Sequence, residues 1–143
     1  MLIDANLLLF AADQHSQLHA KARDWLNDQL NGERRVGLPW QSLGAFLRII
    51  TNPRIFKQPL HPNQAWEQIE SWLANDMVWT PAPTPRHAEV LGGLIKRYQL
   101  GGDLVPDAQL AALAIEHGTE LCSTDTDFAR FTEIRWNNPL ADP

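Results

Sequence analysis

Apolar positions along this chain fall into two patterns that alternate: short continuous runs, and stripes at helical spacing. Leu2-Ile3-Asp4 is a short apolar run closed by an acid and reads as a first strand. Between Ser16 and Leu30 the apolar positions are Leu18, Ala22, Trp25, Leu26 and Leu30, one face of an amphipathic helix. Asn31-Gly32 ends it, because glycine accepts the left-handed cap conformation. Val36-Gly37-Leu38-Pro39 reads as a second strand. Trp40 to Ile50 reads as a helix with Leu43, Phe46, Leu47 and Ile50 inward, broken by Thr51-Asn52-Pro53. Pro62 suits the first turn of the next helix, whose inward face is predicted as Ala65, Trp66, Ile69, Trp72 and Leu73. Met77 to Thr80 is a strand, Pro81 and Pro83 mark a loop, and Pro85 opens a helix carrying Val90, Leu91, Leu94, Ile95 and Tyr98. After Gly101-Gly102, the segment Pro106 to Ile115 is apolar on nearly all sides and is predicted to be a buried helix ended by Gly118. Glu120 to Thr124 is a strand, and Ile134 to Trp136 a last one.

Strands that alternate with helices imply right-handed crossovers and a parallel sheet covered on both faces. The expected fold is a three-layer α/β/α sandwich with a central parallel sheet of four to five strands, forming one domain over residues 1–143. The length of 143 residues and the 44% hydrophobic content agree with a single globular core. Cys122 is the lone cysteine, so no internal disulfide is possible. No basic region precedes an apolar one at the start, and the run Leu7 to Ala12 is too short for a signal peptide or a membrane span. The expected location is therefore cytoplasmic.

Charge changes the picture by its distribution. The net charge of −5 argues against a polyanionic partner, yet no carboxylate lies between Glu33 and Glu67. That stretch carries Arg34, Arg35, Arg48, Arg54 and Lys57, while acids gather late at Asp103, Asp107, Glu116, Glu120, Asp125, Asp127 and Glu133. Ordinary solvated faces would give the same pattern. An enzyme that holds cations beside a polyanion needs both regions.

In such α/β folds, sites lie at the carboxyl ends of the strands. Asp4 ends the first strand, Asp125 follows the strand Glu120 to Thr124, and Asp107 lies in the first turn of the buried helix. These three can meet at one sheet edge. Two carboxylates about 4 Å apart repel by about 4 kcal/mol at an effective dielectric near 20, so such a cluster must protonate, pair or bind a cation. Oxygen-only ligands favour Mg²⁺ or Mn²⁺, and no His or Cys spacing suggests zinc. A hard metal on carboxylates suits phosphodiester hydrolysis. Taken singly, Asp107 also fits a helix N-terminal dipole, and Asp4, Asp125 and Asp127 fit caps. Arg48 and Arg54 are the cations suited to phosphate, given the bidentate geometry of arginine, although Arg48 also fits a helix-end pair. The histidines are scattered and read as surface or helix residues. The tryptophans are expected mostly at core-facing positions, with Trp40 left open between packing and base stacking.

Leu2-Ile3-Asp4-Ala5-Asn6, Pro106-Asp107-Ala108 with its buried helix, and Ser123-Thr124-Asp125-Thr126-Asp127-Phe128 together resemble the PIN-domain ribonucleases, in particular the toxin subunits of VapBC toxin–antitoxin pairs. The segment Leu38-Pro39-Trp40 through Phe46-Leu47-Arg48 to Asn52-Pro53-Arg54 is similar to a subgroup of these toxins. The resemblance runs in order over essentially the whole chain. It implies a metal-dependent endoribonuclease with Asp4, Asp107 and Asp125 as ligands, and Asp127 and Asp103 as supplementary ones. It implies Asn6 and Thr124 as groups that orient water or ligands, beside which Arg48 and Arg54, read from the geometry of arginine, are the expected RNA contacts. It further implies an antitoxin partner lying across the cleft, and a homodimer.

One position departs from the family pattern. A glutamate on the second helix usually joins the metal cluster, and Gly44 aligns with it here, with no acid nearby. A catalytically weakened module kept for RNA or protein binding is therefore the alternative. Other α/β chemistries lack their marks: no Gly-x-Gly-x-x-Gly, no P-loop and no Gly-x-Ser-x-Gly. A receiver domain wants a lysine after its last strand, and none follows Lys96. Asp4-Ala5-Asn6 contradicts a phosphatase that opens with Asp-x-Asp.

Overall fold

Leu2 and Ile3 are both fully buried, yet they belong to different cores. Successive side chains of a strand point to opposite faces, so a strand apolar at both positions must be covered on both sides. In the computed structural model, which describes all of residues 1–143, this holds for the first strand and for its neighbour Leu121–Cys122. The strands are β1 (Leu2–Ile3), β2 (Val36–Gly37), β3 (Val78–Trp79), β4 (Leu121–Cys122) and β5 (Trp136–Asn137). They form one sheet in the order β3-β2-β1-β4-β5, every pair parallel. The expected layers and the upper of the two expected strand counts are thus observed.

The helices are α1 (Ala5–Ala12), α2 (His19–Leu30), α3 (Trp40–Ile50), α4 (Pro62–Leu73), α5 (His87–Tyr98) and α6 (Val105–Glu116). The first core joins Ile3 and Cys122 to Leu7 and Leu8 of α1, Ala22 and Leu26 of α2, Leu43, Phe46 and Ile50 of α3, and Ala65, Ile69 and Trp72 of α4. The second joins Leu2 and Leu121 to Leu94 of α5, to α6, and to Phe128 and Phe131. Helix α6 buries Ala108, Leu110, Ala111, Ala112, Leu113 and Ala114, which is why its sequence is apolar all round.

Three details differ from the sequence-based expectation. Helix α1 follows β1 with no loop between them, Asp4 serving as its N-cap. Its sequence ANLLLFAA has no polar phase from which a short apolar run could be assigned to helix or strand. Helix α5 begins at His87, and Pro85 lies in the preceding turn. Trp66 is 41% exposed rather than inward. The buried face of α4 is Ala65, Ile69 and Trp72, at spacings of four and three, and Trp66 sits about 100° off it.

Gly37 shows how tightly the sheet centre is packed. A Cβ there would stand 2.7 Å from Leu2 Cδ2, 3.0 Å from the Met1 carbonyl oxygen and 3.0 Å from Pro81 Cγ. Leu2 is wholly buried and cannot retreat, so only glycine fits. No helix is long and apolar enough to cross a membrane.

Candidate metal centre

The chain leaves β1 toward β2 and β3 on one side, and returns to place β4 and β5 on the other. The crevice between the carboxyl ends of β1 and β4 is thus the topological switch point, where such sheets bind ligands. Asp4 follows β1, and Ser123 to Asp125 follow β4.

Asp4 is fixed from three directions. Its Oδ1 accepts from the Ala5 N–H at 2.7 Å, the N-cap bond of α1. Its Oδ2 accepts from Ser123 Oγ at 2.7 Å and more weakly from Asn6 Nδ2 at 3.4 Å. Ser123 Oγ in turn accepts from Asn6 Nδ2 at 3.0 Å and from the Asp125 N–H at 3.0 Å. Asn6 Oδ1 accepts from the Thr124 N–H at 3.4 Å. Ser123 is completely buried and ties the acid after β1 to the acid after β4. Trp136 Nε1 holds the Ser123 carbonyl at 3.0 Å and so steadies this strand end from β5.

Asp125 caps the short 3-10 turn Thr126–Arg130, its Oδ1 accepting from the Asp127 N–H at 2.8 Å. That turn carries Asp127 to the same spot. Asp107 reaches it from the first turn of α6. Carboxylate oxygens of Asp107, Asp125 and Asp127 lie within 4.8 Å of one another. Arg130 is the cation among them: its Nε donates to the Asp127 carbonyl at 3.0 Å, and its Nη2 lies 3.4 Å from Asp127 Oδ1.

Electrostatics report the crowding. Burial pushes the Asp107 carboxyl up, the charges of Asp125, Asp4 and Asp127 push it further, and Arg130 opposes them, leaving it at about 6. Asp4 is raised as well, chiefly by burial, against the lowering effect of its bonds from Ser123 and Ala5. Asp4 stands outside the tight group of three by distance yet acts on Asp107 by charge. Both are consistent, because its two oxygens are turned to Ala5 and Ser123. Three carboxylates this close, with no nitrogen or sulfur donor among them, fit a hard divalent cation.

Asp4, Asp107, Asp125 and Asp127 thus come to one edge, with Asn6 beside them. Thr124 takes part through its backbone N–H. Asp103 does not converge: it lies exposed on the 3-10 turn Gly102–Leu104 ahead of α6. Gly102, at a φ of +59°, starts that turn and leaves the side chain in solvent. Arg48 lines a cleft of about 360 Å³ together with Asp4 and Asp107, and makes no ion pair or hydrogen bond within the chain. Arg54 is in the exposed turn after α3 and does not line that cleft. Gly44 does line it, exposed, and a Cβ there would meet nothing within 4 Å. Ser42 and Ala45 form the more buried side of the same wall, so all of α3 facing the cleft is free of acid.

Two functional groups were not singled out from the sequence, Ser123 and Arg130. A small hydroxyl residue at a strand end, two positions before an acid, is the trace Ser123 leaves. Arg130, three residues beyond Asp127 in a turn, is the trace of the other.

The pattern of the PIN domain family matches residues 1–134. Among similar proteins, Ribonuclease VapC37 of Mycobacterium tuberculosis is 41% identical over 140 residues, covering 98% of this chain and 97% of the relative. Ribonuclease VapC33 of the same species is 38% identical over 139 residues, covering 97% of each. Among solved structures, M. tuberculosis VapC20, described as a toxin that cleaves the sarcin–ricin loop, superposes with a TM-score of 0.68 at 18% identity. That superposition covers 94% of this chain and 98% of VapC20. VapBC2 of Rickettsia felis, bound to a promoter DNA fragment, superposes with a TM-score of 0.67 at 14% identity, covering 96% of each chain.

Proposed function

The chain belongs to the PIN domain family, and on that premise we propose that it is the toxin of a type II toxin–antitoxin pair, an endoribonuclease that hydrolyses RNA phosphodiester bonds. The observation that carries the reading is the convergence of Asp107, Asp125 and Asp127 within 4.8 Å, with Asp4 beside them, at the switch point of the sheet. The relatives named as ribonucleases over nearly their full length support the same activity.

Asp4, Asp107, Asp125 and Asp127 would hold the cation, Mg²⁺ or Mn²⁺. The bound cation would supply charge neutralisation, orientation of the attacking water and stabilisation of the leaving oxygen. The protein's own part is positional. Ser123 and the Ala5 N–H fix the orientation of Asp4, and Ser123 sets Asp125 in the same frame. Asn6 holds the loop after β4 through the Thr124 N–H. Arg130 holds Asp127 in place. Arg48, without a partner in the chain, is placed to meet a phosphate of the strand entering the cleft.

The solved VapBC assemblies among the structural relatives support an antitoxin partner, and a segment of it lying over the same cleft would bar RNA. A homodimer belongs to the same reading, and sedimentation at twice the 16.2 kDa of one chain would support it. The acid-free wall of α3 favours the second reading, a binding module that has lost catalysis. Against it, clustered carboxylates with no cation to hold would only destabilise the fold.

The test is incubation with a mixed bacterial RNA pool in Mg²⁺, Mn²⁺ or EDTA, beside Asp107→Ala. Discrete cleavage that needs metal and vanishes in the variant is the expected result. A folded wild-type chain that neither cuts RNA nor melts at a higher temperature in Mn²⁺ would put the binding module ahead.

A further inference from the structure

Trp40 is 53% exposed, at the first position of α3, where a large indole has no core to fill. It is not loose. Trp66 of α4 stacks on it, the ring centroids 6.5 Å apart and the planes 17° from parallel. Two indoles held together at the surface are costly to leave in water and mark a contact site. The Trp40 ring also stands between two cavities. One is the carboxylate cleft, lined by Asp4 and Asp107. The other, of about 250 Å³, lies between the start of α3, the loop after β3 and α6. Gln41 and Gln109 line both, so the second cavity continues the first.

The second cavity has apolar walls from Pro39, Pro81 and Pro83 beside the indole, and polar groups among its lining. His87 is one of them. Its Nδ1 is held at 2.7 Å by the Glu116 carboxylate, which is itself held by the Thr84 N–H and hydroxyl. Its Nε2 has no partner in the chain. Gln109 has no side-chain partner either, and Gln41 uses its amide nitrogen on the Pro106 carbonyl, leaving its oxygen free. Flat apolar surfaces with unused donors and acceptors suit a nucleobase, whose faces want stacking and whose edge wants hydrogen bonds. The volume is below the roughly 300–1,000 Å³ of pockets for drug-sized ligands, as a site for one ring system should be.

We propose that Trp40 is a base-stacking residue for the RNA substrate, and that this cavity takes one unstacked nucleobase next to the phosphate cut at the carboxylates. The inference rests on the ribonuclease reading and adds to it the residue and the cavity that would engage a base beside the cut. A base inside a duplex has both faces covered and cannot enter. A flat indole beside the unused donors and acceptors of Gln41, His87 and Gln109 favours a nucleobase over an antitoxin side chain as the occupant.

The test compares wild type, Trp40→Ala and Trp40→Phe on a single-stranded oligonucleotide that spans a site cut in the RNA pool, in Mn²⁺. Loss of one stacking contact should raise KM about 5- to 150-fold, which is about 1–3 kcal/mol at 1.4 kcal/mol per tenfold. The effect on kcat should be smaller, Trp40→Phe should recover most of the loss, and the Mn²⁺-induced rise in melting temperature should be equal in all three. The base preference beside the cut should relax in Trp40→Ala. A Trp40→Ala chain that cuts with the wild-type KM overturns this proposal and leaves the ribonuclease reading standing. So does a variant that cuts normally but no longer binds an antitoxin peptide. Equal losses in the Ala and Phe variants, together with a diminished Mn²⁺ effect, would mean that the indole only supports the fold. A folded wild-type chain that cuts no RNA and shows no Mn²⁺-induced rise in melting temperature overturns both readings at once.

Discussion

On the β1–β4 side of the cleft, Asp4, Asn6, Ser123 and Asp125 share one connected set of hydrogen bonds, and the carboxylates stand where those bonds put them. On the α3 side, the buried Ser42 Oγ has no partner, Arg48 has none, and Gly44 faces open space. One wall is organised before any ligand arrives, and the other offers room and a free cation. Rigidity is needed where ligands must converge on a point, whereas the wall that meets an entering strand needs room and positive charge.

The first way to break this contrast is to cut the organised wall at its centre. Ser123→Ala leaves the Asp4 carboxylate and the Asp125 N–H short of a buried partner, and should destabilise the chain by about 1–3 kcal/mol. Cleavage should fall with it, even at temperatures where the variant remains folded. Chemical denaturation and initial rates check the two effects. An unchanged rate in the folded variant would deny Ser123 its positioning role.

The second concerns pH. Asp107 has its carboxyl raised from 3.8 to about 6 in the folded chain, so between those values the folded state holds a proton that the unfolded state has released. This group's contribution is present in full below pH 3.8 and is lost as pH rises through 6. In EDTA, the wild type should therefore lose stability from this source across that window. Asp107→Asn, which cannot ionise, should lack the fall, and saturating Mn²⁺ should abolish it in the wild type. Melting temperatures at a series of pH values would show it.

The third sharpens the contrast by making the bare wall acidic. Ala45→Glu places a carboxylate on the half-buried side of the lining, and Gly44→Glu places one on the exposed side. Ala45→Glu should strengthen the Mn²⁺ effect on melting more than Gly44→Glu does. Gly44→Glu should instead gain up to about 1 kcal/mol of metal-independent stability from replacing a mid-helix glycine. The smallest effect belongs to Ser42→Ala. It removes a hydroxyl with no partner and should leave stability unchanged or raise it by under about 1 kcal/mol, with cleavage unaltered.

Much of this architecture can be read from local pattern, because local pattern is what a strand or an amphipathic helix records. Leu43, Phe46 and Ile50 on α3 and the all-apolar α6 announce their burial by spacing. Helix α1 does not, since ANLLLFAA carries no phase. Trp66 misleads because it adjoins the inward Ala65, and a stripe drawn generously includes it. The acids after β1 and β4 could be picked out because topology places strand ends together. Their hydrogen-bonding hub leaves a fainter mark: Ser123 finds Asp4 at a separation of 119 residues, and its trace is only a small hydroxyl two positions before an acid. Asp103 and Asp107 are near neighbours in the chain, yet only the one inside α6 reaches the cluster.

That same separation sets the timing of the protein's manufacture. β1 sits at the centre of the sheet, and its neighbour β4 leaves the ribosome only after helices α1 to α6 have done so. Until residues 121–127 emerge, Asp4 has no Ser123, Asp107 has no companions, and the centre does not exist. A chain abandoned before residue 121 therefore carries no assembled carboxylate centre. The interval between completing the last strand and closing the site is when a waiting inhibitor could most easily meet its target.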